Sequence, residues 1–124
     1  MALIDTYRKN IARKGRQLAE LQGEKAKESK KISDLEKKIN DDKQRIAKTK
    51  NASTIKTKQK SITQKNKKLS SSYHELSKIE KKIGDKSEDI ENEKRKLMKE
   101  EKKEQKKEQK KEQKKEQKKE QKKV

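Results

Sequence analysis

The 124-residue sequence contains no cysteine, proline, tryptophan or phenylalanine, and it has only three glycines and two tyrosines. Hydrophobic residues make up 23% of the chain, roughly half the share found in globular domains. A fold with a thick core is therefore excluded. The missing cysteines exclude disulfides and thiolate metal sites, and no run approaches the ~20 apolar residues of a membrane span. The chain must be either disordered or built from long helices.

What the sequence has in abundance is charge. Charged residues make up 51% of the chain, and 41 lysines and arginines against 22 acidic residues give a formal net charge of +19.

The N-terminus lacks the basic and apolar segments of a signal peptide. We therefore expect a cytoplasmic protein with no transmembrane segment.

Apolar residues recur at every seventh position in two long stretches, which indicates helix rather than disorder. The first stripe runs from Ile4 to Ile46 and is interrupted by Lys25, and a patchier second stripe runs from Tyr7 to Thr49. A third stripe, from Ile55 to Leu97, is apolar throughout. The predicted coiled-coil seam consists of Ile4, Ile11, Leu18, Leu21, Ile32, Leu35, Ile39, Ile46, Ile55, Ile62, Leu69, Leu76, Ile79, Ile83, Ile90 and Leu97.

The junction between the stripes decides between two architectures. Ile55 comes nine positions after Ile46, and in one unbroken helix this step would turn through roughly 900°, which places the stripes on opposite sides. A chain reversal would instead bring the stripes face to face. We therefore predict an all-α fold, a long antiparallel coiled-coil helical hairpin with arms at about 3–49 and 54–98 and a turn at about 50–53. The alternative is one continuous helix that dimerises.

In the hairpin, residues whose numbers add up to 101 lie opposite each other, and Lys25 opposite Leu76 is the one mismatch. Asn51 is expected to end the first helix in the left-handed conformation, and Ser53 or Thr54 to cap the second. The serines at 70–72 are expected at exposed helix positions, because the apolar stripe passes them without a slip.

The chain divides into a coiled-coil region, 1–98, and a low-complexity tail, 99–124. Residues 102–121 are five copies of Lys-Lys-Glu-Gln. These residue types favour helix, but a period of four sets lysine against lysine and glutamate against glutamate one turn apart. With no apolar stripe to pack, we expect a highly charged, frayed helix.

Between Lys43 and His74 there is no acidic residue. This basic block, 43–74, would lie at the tip of the hairpin and attract nucleic acid or an anionic membrane surface without reading sequence. Its candidate polyanion-binding residues are Lys43, Arg45, Lys48, Lys50, Lys56, Lys58, Lys60, Lys65, Lys67 and Lys68.

The sequence offers no catalytic constellation. His74 is the single histidine and has no second ligand at metal spacing, while Asp41 and Asp42 are adjacent and diverge on a helix. We expect no enzymatic activity, no metal, no cofactor and no small-molecule substrate.

Three segments carry a resemblance: Met1–Asn10 (MALIDTYRKN), Ala52–Lys58 (ASTIKTK) and Ile79–Ile83 (IEKKI). Over roughly residues 1–101 the chain resembles the N-terminal coiled-coil module that precedes TIR-like or peptidase-like effector domains in some bacterial defence and signalling proteins. No effector domain follows here. The resemblance therefore implies assembly or partner recruitment without enzymatic activity, or a truncated product of a longer gene.

Two functions follow as hypotheses. The first is a non-enzymatic coiled-coil module that associates with itself or recruits another coiled-coil protein through its apolar stripes. The second is non-specific binding of a polyanion, either nucleic acid or an anionic membrane, through the basic block.

Overall fold

The break between the two stripes is a chain reversal. The computed structural model describes the backbone of residues 2–123 and the side chains of residues 2–118. Helix α1 runs from Ala2 to Lys48 and helix α2 from Ala52 to Lys123, and the two helices pack against each other. The predicted helical hairpin is confirmed, and the alternative of one continuous helix is wrong.

Three residues, 49–51, connect the helices, and polar side chains organise this connection. The Asn51 Oδ1 accepts hydrogen bonds from the backbone N–H groups of Ser53 and Thr54, at 3.0 and 3.4 Å. The Asn51 N–H in turn donates to the Thr49 Oγ1 at 3.2 Å. Asn51 is thus the N-cap of α2, which is why α2 begins at Ala52.

The predicted caps are therefore wrong. Asn51 does not adopt the left-handed conformation, and Ser53 and Thr54 lie inside α2 instead of capping it. Asparagine suits either end of a helix because its short amide satisfies N-terminal N–H groups as readily as it tolerates a left-handed backbone.

The packing divides the chain into two units. In the unit Leu18–Asp85, which contains the connection, Ile32, Ile39 and Ile79 are 5–6% exposed and form the core. In the unit made of Met1–Gln17 and Lys86–Val124, Ile90 is the buried isoleucine. In each unit the core is a single line of side chains between two helices, as the low apolar content requires.

Most polar pairs that join the helices have residue numbers that add up to more than 101, and Asp42 with Lys58, at 100, is the exception. Gln17 contacts Lys86, Lys14 contacts Glu93 and Glu36 contacts Tyr73, and the residue numbers of these pairs add up to between 103 and 109. Side chains lean toward the N-terminus of their helix, so those of α1 lean away from the connection and those of α2 toward it. Residues in side-chain contact therefore have larger sums than residues at the same level. A backbone register of 101 predicts sums in this range.

Helix α2 continues through the Lys-Lys-Glu-Gln repeat. In the unit that holds this segment, Glu101 lies 3.1 Å from the Arg8 guanidinium, and Glu104, in the first repeat, is half-buried. Contacts with α1 thus extend beyond residue 98, the predicted end of the paired region. From Gln105 to Lys118 the side chains are exposed, and fraying of this solvated segment stays a prediction.

Candidate interaction surface

The sixteen residues predicted to form the seam are all buried or half-buried. The stripe from Ile4 to Ile46 has one exposed position, Lys25, whose ammonium lies 3.8 Å from the Glu80 carboxylate. The seam is therefore filled from within the chain. Among the residues with described side chains, the large apolar ones left exposed are Leu3, Tyr73 and Met98.

The patchy second stripe of α1, from Tyr7 to Thr49, contains polar residues that are buried or half-buried. Lys14, Glu28 and Asp42 follow each other at intervals of 14 residues. Glu28 and Asp42 are buried and Lys14 is half-buried. The corresponding positions of α2, each three residues after a position of its apolar stripe, are mostly polar as well. Comparing these positions across the two arms is the signal that finds two of them, because Asp42 faces Lys65 and Lys14 faces Glu93, whereas Glu28 pairs with Lys31 on its own helix.

Asp42 is the centre of the best-connected polar cluster. It is 5% exposed, and it accepts hydrogen bonds from the Lys65 ammonium at 2.5 Å and the Ser61 hydroxyl at 3.0 Å. The Lys58 ammonium lies 3.6 Å from the other carboxylate oxygen. We call Asp42, Lys58, Ser61 and Lys65 the Asp42 cluster. It ties the two helices together beside the connection with three groups from α2.

In the other unit, Lys14 and Glu93 make a looser pair. The Lys14 ammonium lies 3.5 Å from the Glu93 Oε1, and both side chains are less than one-fifth exposed. The Glu93 Oε2 is buried without a hydrogen-bond partner. Because an unsatisfied buried oxygen costs stability, we infer that this pair contributes less to stability than the Asp42 cluster.

Ion pairing sets the ionisation of Asp42. The hydrogen bond from Lys65, helped by Ser61 and by the nearby charges of Lys65 and Lys58, lowers the pKa of the Asp42 carboxyl despite the opposing effect of burial. A carboxyl whose pKa is lower in the folded than in the unfolded protein stabilises the fold in its charged form.

This lowered pKa predicts a pH dependence of stability. The contribution of Asp42 should be fully present above about pH 5 and be lost as the pH falls through the pKa of the folded state, because the unfolded chain then binds more protons. Urea unfolding of the wild type and of Asp42→Asn measures it. The stability gap between the two proteins should narrow as the pH is lowered from neutrality into the acid range. A gap that stays constant over that range would contradict the assignment.

The basic block is less exposed to a ligand than its sequence indicates. Eight of its ten cationic residues are exposed, but Lys58 and Lys65 are half-buried and face Asp42. Asp42 directly precedes the block in sequence and folds onto it. Two of the ten candidate polyanion-binding residues, Lys58 and Lys65, therefore have their ammonium groups paired with Asp42 in the seam.

A groove opens between the helices within the unit Leu18–Asp85. Its volume is 590 Å³, and Leu35 lies in its lining. The lining residues are Lys31, Asp34, Leu35 and Lys38 from α1, and Lys67, Lys68, Ser71 and Ser72 from α2. Ser72 is half-buried, so its predicted exposure is wrong. The groove gathers four lysines around an apolar side chain, and two of them, Lys31 and Lys38, lie outside the basic block.

Near the groove, Tyr73 links the helices from the outside. Its hydroxyl donates a hydrogen bond to the Glu36 carboxylate at 2.5 Å. This bond raises the pKa of the Tyr73 phenol, because ionisation would place a second negative charge beside Glu36. The ring itself remains 47% exposed.

The described residues contain no group of three or more histidine, cysteine or acidic side chains that could hold a metal ion. His74 is exposed. Within the described part of the chain, neither helix has a stretch long and apolar enough to cross a membrane. Fold and surface together define an all-helical hairpin whose seam contains inter-helix ion pairs and whose surface carries a basic groove. No protein-family model, curated protein or solved structure matches this chain.

Proposed function

We propose that this chain is a non-enzymatic helical hairpin of the bacterial cytoplasm that recruits another protein. The observation that carries the proposal is that the apolar and the charged residues lie on different surfaces of the helices. The apolar stripes pack against each other within the chain, and lysine is the most frequent residue on the outer surface of the described part. A charged helical scaffold of this kind suits docking, and the resemblance of the segments 1–10, 52–58 and 79–83 to an N-terminal coiled-coil module supports the same role.

Recruitment is favoured over self-association, the other form of the first hypothesis. Copies that each carry a net charge of +19 repel one another. The apolar side chains that would drive coiled-coil pairing between copies already fill the seam of the hairpin, and the large apolar side chains left exposed on the described residues are few.

Capture from a bacterial lysate by the immobilised full chain tests recruitment. The control is Ile79→Asp, which lowers the net charge by only one and is expected to unfold the hairpin. We expect one or more proteins, identified by mass spectrometry, to be retained by the wild type and absent from the control. A set of captured proteins that is empty, or identical for both chains, would contradict recruitment by the folded hairpin.

Polyanion binding at the tip is the second candidate. The observation that favours it is the group of exposed cations near the connection, among them Lys50, Lys56 and Lys60. Lysine outnumbers arginine and aromatic residues are scarce, so binding there would be non-specific and strongly weakened by salt.

A further inference from the structure

We propose that the groove between Lys31, Leu35 and Lys38 on α1 and Lys67, Lys68 and Ser72 on α2 is a docking site for an acidic amphipathic helix of another protein. This inference rests on the proposed function and names the chemistry of the partner. The bound helix would place an aliphatic side chain against Leu35 and carboxylates against the surrounding lysines.

The groove exists because one position of the seam carries a small side chain that leaves the space between the helices unfilled. Ser72 occupies a seam position between Lys65 and Ile79, seven residues from each. Where those longer side chains fill the space between the helices, the serine leaves it open. Ser71 beside it is also small. Leu35, itself half-buried, therefore lines a depression open to the outside instead of being covered by α2.

The charge of the lining selects an acidic ligand. Four lysines line the groove against one acidic residue, Asp34, and all four are exposed. Lys31 lies 3.8 Å from Glu28. Within the part of the chain that the structure describes, Lys38, Lys67 and Lys68 take part in no ion pair. Carboxylates of a partner would meet cations that are free to turn toward them.

The spacing of the lining suits a helix. Lys31 and Lys38 are seven residues apart on α1, about 10 Å along the axis. A partner helix lying along the groove repeats its own side chains at the same interval, so acidic residues two turns apart face both lysines. An aliphatic residue between them reaches Leu35, which is the helix-in-groove mode of recognition.

The apolar part of the lining favours an acidic amphipathic helix over the other candidate ligands. A phosphate polymer would pair with the lysines but offers nothing to cover Leu35. A second copy of the chain has one acidic run, 85–93, whose exposed members are Asp85, Glu88, Asp89 and Glu91. Of the large exposed apolar side chains of the described residues, Met98 lies near this run, but copies that each carry a net charge of +19 repel one another.

Fluorescence anisotropy with defined probes tests the site on the full chain. The first probe is a fluorescein-labelled helical peptide of glutamate, alanine and leucine, with leucine at every seventh position and glutamates three and four residues to either side. The second replaces each leucine by glutamine. The third is a labelled DNA duplex. We expect the leucine peptide to bind at least about tenfold more tightly than the glutamine peptide, because only the former covers Leu35.

Matched variants locate the binding. The double change Lys67→Glu and Lys68→Glu should weaken binding of the leucine peptide by about tenfold or more. The pair Lys56→Glu and Lys60→Glu has the same charge change on the same helix outside the groove, and it should have a much smaller effect. Ser72→Leu should fill the groove and abolish binding while the melting temperature is unchanged or higher.

Several results would overturn the assignment. Equal binding of the two peptides, or equal losses in the two lysine pairs, would indicate a surface that responds to charge alone. DNA binding that Lys67→Glu and Lys68→Glu abolish, without binding of the peptide, would assign the groove to a polyanion. Sedimentation showing a dimer that Ser72→Leu dissociates would assign it to a second copy. Fold-dependent capture of a protein without binding of the leucine peptide would refute the groove assignment and leave recruitment standing.

Discussion

Replacing Ile79 by aspartate is expected to unfold the hairpin. Ile79 is 5% exposed, and a carboxylate there would be buried in the seam. Burying an unpaired charge together with the loss of an isoleucine contact costs about 4 kcal/mol or more. A fold whose core is a single line of side chains has little reserve against such a loss. Thermal unfolding followed by circular dichroism measures the effect.

The neighbouring change Ser77→Asp is the control. Ser77 is exposed, and an aspartate there is one turn from Lys81, so its effect on the melting temperature should be small. Ile62 and Ile83 belong to the apolar stripe from Ile55 to Leu97 and are half-buried, and aspartate at either should cost less stability than aspartate at the more deeply buried Ile79. Lys68→Ala should leave the fold intact. An Ile79→Asp protein that melts like the wild type would mean that the seam is wrongly placed.

The hairpin could be predicted from the sequence because periodicity is a property of many residues at once. Seven positions in each arm keep the same spacing, and the nine-residue step from Ile46 to Ile55 is incompatible with one straight stripe. The cap could not be predicted in the same way. It depends on the backbone angles of Asn51 alone, and the sequence allows that residue to end one helix or to begin the next.

The polar part of the seam escaped prediction for a different reason. Along α1, Lys14, Glu28 and Asp42 read as interruptions of an apolar stripe. Only the position of α2 shows that Asp42 meets Lys65 and that Lys14 meets Glu93. The groove likewise becomes visible only when the positions of both helices are known. Leu35 and Ser72 are 37 residues apart in sequence, and neither residue alone indicates a depression between the helices.

Removing the carboxylate of Asp42 is expected to have the second largest effect. In Asp42→Ala, the half-buried Lys58 and Lys65 side chains lose their shared counter-ion. Breaking a buried, hydrogen-bonded ion pair by deleting one partner costs about 3 kcal/mol. Urea unfolding near neutral pH measures the loss. Lys43→Ala, an exposed change next to Asp42 in sequence, is the control and should change stability little.

Replacing the three charged residues of the Asp42 cluster should reverse the effect on stability. With leucine at 42, 58 and 65, the second stripe becomes apolar beside the connection, and apolar replacements of buried ion pairs are often neutral or stabilising by about 1–4 kcal/mol. We therefore expect this triple variant to be at least as resistant to urea as the wild type. The charges of the Asp42 cluster, on this argument, do not maximise stability.

What the cluster supplies is a single arrangement of the two helices. Asp42 can reach Lys65, Ser61 and Lys58 only in one register, whereas leucines tolerate a slip of the helices or pairing between copies. The triple variant should therefore sediment as a mixture of monomer and oligomers, and spin labels on the two arms should report a broader distance distribution than in the wild type. A triple variant that remains monomeric with one sharp distance would show that the apolar stripes and the three-residue connection fix the register without the cluster.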